Sequence, residues 1–174
     1  MVALTERRRH RTHAVRVGKV TLGVAGTHML KSSYTRAGTD DVWVDSMSHY
    51  GENAAVTFRN VARTTIKIDH NKQLANTVVF KYRSGYTDIT QTVRDVATGK
   101  LTTVTLPVPS YMTIDWQMQY KYNKGTEVRL GINNLTNQTP PFTLRDSSGH
   151  QVGYDARYAD PKLRTFYVQG SYSF

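Results

Sequence analysis

The side chains able to do chemistry are few and scattered. The 174 residues include six histidines, His10, His13, His28, His49, His70 and His150, and no cysteine. None of the histidines stands in a His-Glu-x-x-His or comparable spacing with a carboxylate, the arrangement that holds a catalytic zinc on one face of a helix. A chain without cysteine has no thiolate nucleophile, no disulfide and no Cys-ligated metal. Gly-x-Ser-x-Gly and phosphate-loop patterns are also absent. Asp115 and Glu127 could face one another across a turn at 123–125, but Arg129 and Lys121 stand within reach. Such carboxylates read as ion-paired rather than as an acid–base couple. Asn134-Leu135-Thr136 and Asn137-Gln138-Thr139 match a glycosylation acceptor and read as chance matches. The expectation is a protein that is not an enzyme, with no catalytic residue, no metal and no cofactor.

The charge suggests a different use. The net charge is +10, and residues 1–19 supply +5 of it through Arg7, Arg8, Arg9, Arg11, Arg16 and Lys19 against Glu6. A cluster such as Arg7-Arg8-Arg9-His10-Arg11 can grip phosphate, which opens the alternative of a soluble basic β-domain binding nucleic acid. No aromatic residue interleaves these arginines as a base-stacking platform requires. The remaining charge is dispersed, so residues 1–15 read as a basic, disordered N-terminal segment and nucleic acid is not an expected partner. No apolar stretch of about 7–15 residues follows the basic start, so no secretory signal is expected. No apolar run approaches the roughly 18 residues of a membrane-spanning helix.

The elements that would position any functional group are strands. Alternate side chains of a strand point to opposite faces. In 111–122, Met112, Ile114, Trp116, Met118, Tyr120 and Tyr122 fall on one face and Asp115, Gln117, Gln119 and Lys121 on the other. Residues 126–132 set Val128, Leu130 and Ile132 against Glu127 and Arg129. The last segment sets Phe166, Val168, Gly170, Tyr172 and Phe174 against Thr165, Tyr167, Gln169, Ser171 and Ser173. Residues 16–30, 62–69 and 76–83 alternate likewise, with Val79 an exception. Six long strands follow, and no helical periodicity competes with them. Asn71-Lys72-Gln73 and Asn123-Lys124-Gly125 are tight turns. The other connections, 31–61, 84–110 and 135–163, are long, and the middle one can hold a hairpin turning at Ala97-Thr98-Gly99. Short turns at one end, long loops at the other and tyrosines near both strand ends match an outer-membrane barrel. A soluble β-sandwich or ligand-binding barrel shares part of this pattern.

Several stretches carry a resemblance. They are Val128-Arg129-Leu130-Gly131-Ile132-Asn133-Asn134-Leu135-Thr136-Asn137, then Pro140-Pro141-Phe142, then Gly153-Tyr154-Asp155-Ala156-Arg157-Tyr158-Ala159-Asp160-Pro161, and the strand from Arg164 to Phe174. In this order they resemble the C-terminus of TonB-dependent receptors of the Gram-negative outer membrane. Upstream, Arg83-Ser84-Gly85-Tyr86-Thr87-Asp88 and Val108-Pro109-Ser110-Tyr111 resemble the strand pairs that precede it. Two positions depart from the family. Leu163 stands where a glycine is common, and Gln169 stands where the terminal strand often has a small residue, with Gly170 one place later.

The resemblance implies an all-β fold: antiparallel up-and-down strands forming the C-terminal segment, about six strands, of a transmembrane β-barrel over residues 16–174. It implies energy-coupled uptake of a nutrient such as a siderophore, cobalamin or a glycan. Family members have a barrel of 22 strands filled by an N-terminal plug, so the chain is expected to be a fragment, not transport-competent alone, resident in the outer membrane as part of the full receptor. Trp116, Met118, Leu130 and Val128 would face lipid. Asp115, Gln117, Glu127 and Arg129 would face the lumen. Phe166, Val168, Gly170, Tyr172 and Phe174 would form the signal read by the barrel-insertion machinery. Further partners would be outer-membrane lipid, the missing N-terminal barrel and plug, TonB through that plug only, and an unidentified nutrient, contacted by loop stretches such as Tyr34–Tyr50 and Tyr154–Tyr158.

Overall fold

The computed structural model describes residues 18–35, 43–45, 47–49, 56–144 and 153–173. The basic segment 1–15 and Phe174 lie outside the described residues. Six long strands, β1 (Lys19–His28), β4 (Asn60–Asp69), β5 (Leu74–Arg83), β10 (Tyr111–Lys121), β11 (Thr126–Asn133) and β12 (Thr165–Tyr172), form one antiparallel sheet. Their spatial order is their sequence order. This is the up-and-down arrangement that the resemblance implies, and the described residues contain no helix. β1 and β12 are the outer strands of the sheet.

Smaller strands decorate the long connections: β2 (Ser33–Thr35) with β3 (Trp43–Asp45), β6 (Tyr86–Thr87) with β9 (Pro107–Val108), and β7 (Gln91–Arg94) with β8 (Leu101–Val104). The β7–β8 pair is the hairpin expected in 84–110. Gly99 takes φ +70° there, which glycine adopts without steric cost. The two-residue pairing beneath it, β6 with β9, is too short to leave an alternation in the sequence.

The turns share one device, an Asx turn in which a side-chain oxygen caps the amides two and three residues on. Asn71 Oδ1 accepts from the Gln73 and Leu74 amides at 2.8 Å each. Asn123 Oδ1 accepts from Gly125 and Thr126 at 2.9 and 2.8 Å. Asp95 Oδ1 accepts from Ala97 and Thr98 at 2.8 and 2.9 Å. The turns at 71–73 and 123–125 stand at the same end of the sheet and touch, since the Lys121 amide donates to the Gln73 carbonyl at 2.8 Å. The start of β1 (Lys19 opposite Asp69) and the end of β12 (Tyr172 opposite Thr126) lie at that end too.

Candidate functional site

Register turns the alternation into two continuous surfaces. One row runs across all six long strands as Leu22, Ile66, Val78, Trp116, Ile132 and Phe166. The next is Val20, Ile68, Asn76, Met118, Leu130 and Val168. A third contains Leu74, Tyr120, Val128 and Gly170. Trp116, Met118, Leu130 and Val128 therefore share one face, with Phe166, Val168, Gly170 and Tyr172. At the outer strands this face is bare: Leu22 is 65% exposed, Phe166 72% and Val168 75%. Five strand spacings make the surface about 24 Å wide. Single exposed apolar residues need no explanation, but a contiguous patch of this breadth marks a contact surface.

The opposite face is polar and internally paired. Lys81 Nζ lies 2.5 Å from Asp115, whose other oxygen accepts from the Asn134 amide at 3.0 Å. Glu127 is held by Arg129 at 2.6 Å and by the Gln119 amide group at 2.7 Å. Gln117 accepts from the Tyr167 hydroxyl at 2.9 Å. That bond crosses β11 at Gly131, where a Cβ would sit 2.2 Å from the Tyr167 ring, so only glycine leaves the ring its path. Asp115, Gln117, Glu127 and Arg129 thus lie on one face, as the alternation predicts. Asp115 and Glu127 do not face each other. Glu127 opposes Lys121, and six further residues at about 3.3 Å each carry β10 on to Asp115. The hairpin register, with three residues in the turn, sets that separation.

The long loops are packed rather than splayed at the end where they are described. Phe58 meets Tyr158 edge-on with ring centroids 4.8 Å apart and Tyr86 at 5.8 Å. The Tyr158 hydroxyl accepts from the Val56 amide at 2.8 Å, across 102 residues of chain. Arg83, from the end of β5, lies over the Phe58 ring at 5.9 Å and donates to the Tyr158 carbonyl. Tyr158, expected among ligand contacts, is therefore taken up in loop packing. Tyr34 begins the other expected stretch and pairs with Val44, while Tyr50 lies outside the described residues. Buried Asp88 accepts from the Ile89 amide and the Thr143 hydroxyl at 2.8 and 2.7 Å and from the Leu144 amide. Beneath these loops a cleft of about 340 Å³ opens on the polar face, flanked by Lys81, Arg83, Tyr111 and Asp160.

The asparagine-leucine stretch works as a turn. Asn134 and Asn137 both take left-handed φ, +52° and +56°. Asn134 exchanges two 2.8 Å bonds with the Gln138 backbone, and Asn137 accepts from the Arg164 amide at 3.0 Å. Leu163 takes φ +60°, so the position where the resemblance expects glycine keeps the glycine conformation without the glycine. The described histidines are dispersed. His28 is 2.6 Å from Asn60, His49 2.6 Å from the Met47 carbonyl and His70 2.9 Å from Asn76. Among the described residues no three His, Asp or Glu side chains converge as a metal site would require.

No protein-family model and no curated protein matches the chain. Solved structures do. The chain is similar to the siderophore receptor PirA of Acinetobacter baumannii, at 20% identity and TM-score 0.57, over 90% of this chain and 20% of that one. It is also similar to a mutant of the ferric enterobactin receptor PfeA of Pseudomonas aeruginosa, at 16% identity and TM-score 0.55, over 89% of this chain and 20% of that one. The likeness shows the fold: the six-stranded antiparallel sheet is similar to part of the fold of these two receptors. The chain spans about a fifth of the length of the receptors it matches.

Proposed function

We propose that the chain is the C-terminal barrel segment of a TonB-dependent outer-membrane receptor for energy-coupled nutrient uptake, working only with the rest of the barrel and its plug. The observation that carries this reading is the two-faced sheet: an apolar register across six strands on one side, ion-paired polar groups on the other. Lipid supplies no hydrogen bonds, so a spanning strand must satisfy its backbone through its neighbours and turn apolar side chains outward. A tilted spanning strand needs about 9–11 residues, and the four strands β1, β4, β5 and β10 have 10, 10, 10 and 11. In this reading Trp116, Met118, Leu130 and Val128 meet lipid, and Asp115, Gln117, Glu127 and Arg129 line the lumen. Phe166, Val168, Gly170, Tyr172 and Phe174 present the insertion signal. The edges of β1 and β12 pair with the remaining strands of the barrel, since open edges are not tolerated in lipid.

The nutrient we propose is a siderophore, since PirA is a siderophore receptor and PfeA a ferric enterobactin receptor, and TonB reaches this part of the receptor only through the plug. A nucleic-acid-binding role gains no support from the fold. The test is an immunoblot of fractionated source cells with an antibody against residues 145–174. The expected result is an outer-membrane band about five times longer than 174 residues, the length ratio to the matched receptors. A band of the short length alone, soluble and folded in the cytosol, would overturn the receptor reading.

A further inference from the structure

The alternation of β12 specifies its register only in part. A slip of one residue turns its apolar set to the other face, but a slip of two returns every side chain to its own face. In the hairpins β4–β5 and β10–β11 the tight, capped turns exclude a two-residue slip as well. β11 and β12 are joined by the long connection 134–164, which leaves such a slip open. Two side-chain bonds stand at the loop end of this pair, Asn133 Nδ2 to Thr165 Oγ1 at 3.3 Å and the Arg164 amide to Asn137 Oδ1 at 3.0 Å. A third contact lies in the middle. Gly131 is opposite Tyr167 on one side and Gln117 on the other. The Tyr167 ring crosses Gly131, and its hydroxyl donates to Gln117 on β10. Gly131 is the only glycine of β11, and Tyr167 is the only aromatic residue on the polar face of β12.

We propose that Tyr167 and Gly131 form a register key, which holds β12 against the two-residue slips that leave both faces of the sheet intact. Moved by two in either direction, Tyr167 would stand opposite Arg129 or Asn133. Each has the Cβ that Gly131 lacks, and a Cβ at that place comes within 2.2 Å of the ring. The hydroxyl would point at Gln119 or Asp115 instead of Gln117, and these are already bonded to Glu127 and to Lys81. The ring is therefore accommodated in one register only. β12 is an outer strand of the sheet, so its register passes to any strand that pairs with its free edge. The inference needs only the sheet and does not depend on the receptor reading.

The chain has no cysteine, so introduced pairs report the register directly. Opposed residues of an antiparallel pair have Cα atoms about 4.5–5.5 Å apart, within disulfide reach, whereas neighbours two places along are about 7–8 Å apart and beyond it. Leu130→Cys is combined with Val168→Cys for the observed register, and with Phe166→Cys or Gly170→Cys for the two slips, all on the face opposite the key. The full chain is folded from urea into detergent and mildly oxidised, and the bridge joining positions 130 and 168 is expected to dominate. A cross-strand contact and a hydrogen bond together shift such an equilibrium about tenfold, so Tyr167→Thr and Gly131→Ala are each expected to raise the slipped bridges about tenfold relative to the native one. Tyr167→Phe keeps the ring and loses one hydrogen bond, with a rise of about threefold expected. Combining Tyr167→Thr with Gly131→Ala is expected to add nothing further, since key and lock act as one. Slipped bridges that do not rise, a rise with only one of the two changes, or additive rises in the combination overturn the inference. So does an unchanged background in which the bridge between 130 and 168 does not dominate.

Discussion

The short-turn end and the long-loop end of the sheet are stabilised by different kinds of contact. At the turns, an asparagine side chain holds amides two and three residues away. At the loops, the binding partners are 55, 75 and 102 residues apart, in Asp88 with Thr143, Arg83 with Tyr158 and Val56 with Tyr158. Closing a longer loop costs more chain entropy, though only logarithmically. The loop end therefore depends on a few long-range contacts, whereas each turn is closed by its own side-chain cap.

The largest expected effect comes from removing the strongest loop contact. Asp88→Ala removes the carboxylate that accepts from the Leu144 amide and the Thr143 hydroxyl, and losing the acceptor of one such amide costs about 1–3 kcal/mol. We expect a local destabilisation of about 3 kcal/mol, read as a roughly hundredfold faster hydrogen exchange at the Leu144 amide, with the amides of Trp116 and Leu130 in the sheet unchanged. Equal acceleration in the strands would show that the two ends are one cooperative unit and would dissolve the distinction between them.

The same division explains what was legible in the sequence. Period-2 alternation placed all six long strands, because each records its own two faces. Asn71, Asn123 and the Ala97-Thr98-Gly99 turn were legible because their chemistry is local. The pairing of Asp115 was not, because its partners Lys81 and Asn134 depend on register with β5 and on the bend after β11. Nor was the Phe58–Tyr86–Tyr158 cluster, whose rings come from three separate connections. Asp88 was legible only as the end of the stretch Arg83–Asp88 that carries the resemblance, and its burial was not, because its partners Thr143 and Leu144 stand 55 and 56 residues on. The alternation showed which side chains share a face, and strand order then showed how wide that face becomes.

Leu163 offers a smaller and opposite effect. It precedes β12 at φ +60°, a conformation that costs an L-residue about 1–2 kcal/mol. Glycine removes that cost but loses about 0.5–1 kcal/mol through its freer unfolded chain. Leu163→Gly is therefore expected to stabilise the chain by about 0.5 kcal/mol, measured as a higher urea midpoint in detergent. Leu163→Ala, which keeps the strain and loses the side chain, is expected to give no gain. If alanine stabilises as much as glycine, side-chain crowding rather than backbone conformation is the source of strain at this junction.

The smallest effect separates position from mechanism. The β7–β8 hairpin belongs to the loop end by location but is closed by Asp95, a local cap of the short-turn kind. The Thr98 and Ala97 amides, with the Thr98 bond the larger influence, hold the Asp95 carboxyl below its ordinary value of 3.8. A depressed carboxyl stabilises the fold above its unfolded value and loses that contribution as pH falls through its folded value. Protection of the Thr98 amide, corrected for intrinsic exchange, is thus expected to hold steady from pH 7 to about 5 and to decline below 3.8. Asp95→Asn keeps an acceptor oxygen without a charge and should remove this pH step. If locality rather than location governs, Asp88→Ala leaves the Thr98 amide untouched. If Thr98 loosens together with Leu144, the hairpin is held by the packed loops beneath it, and its capping carboxylate is secondary.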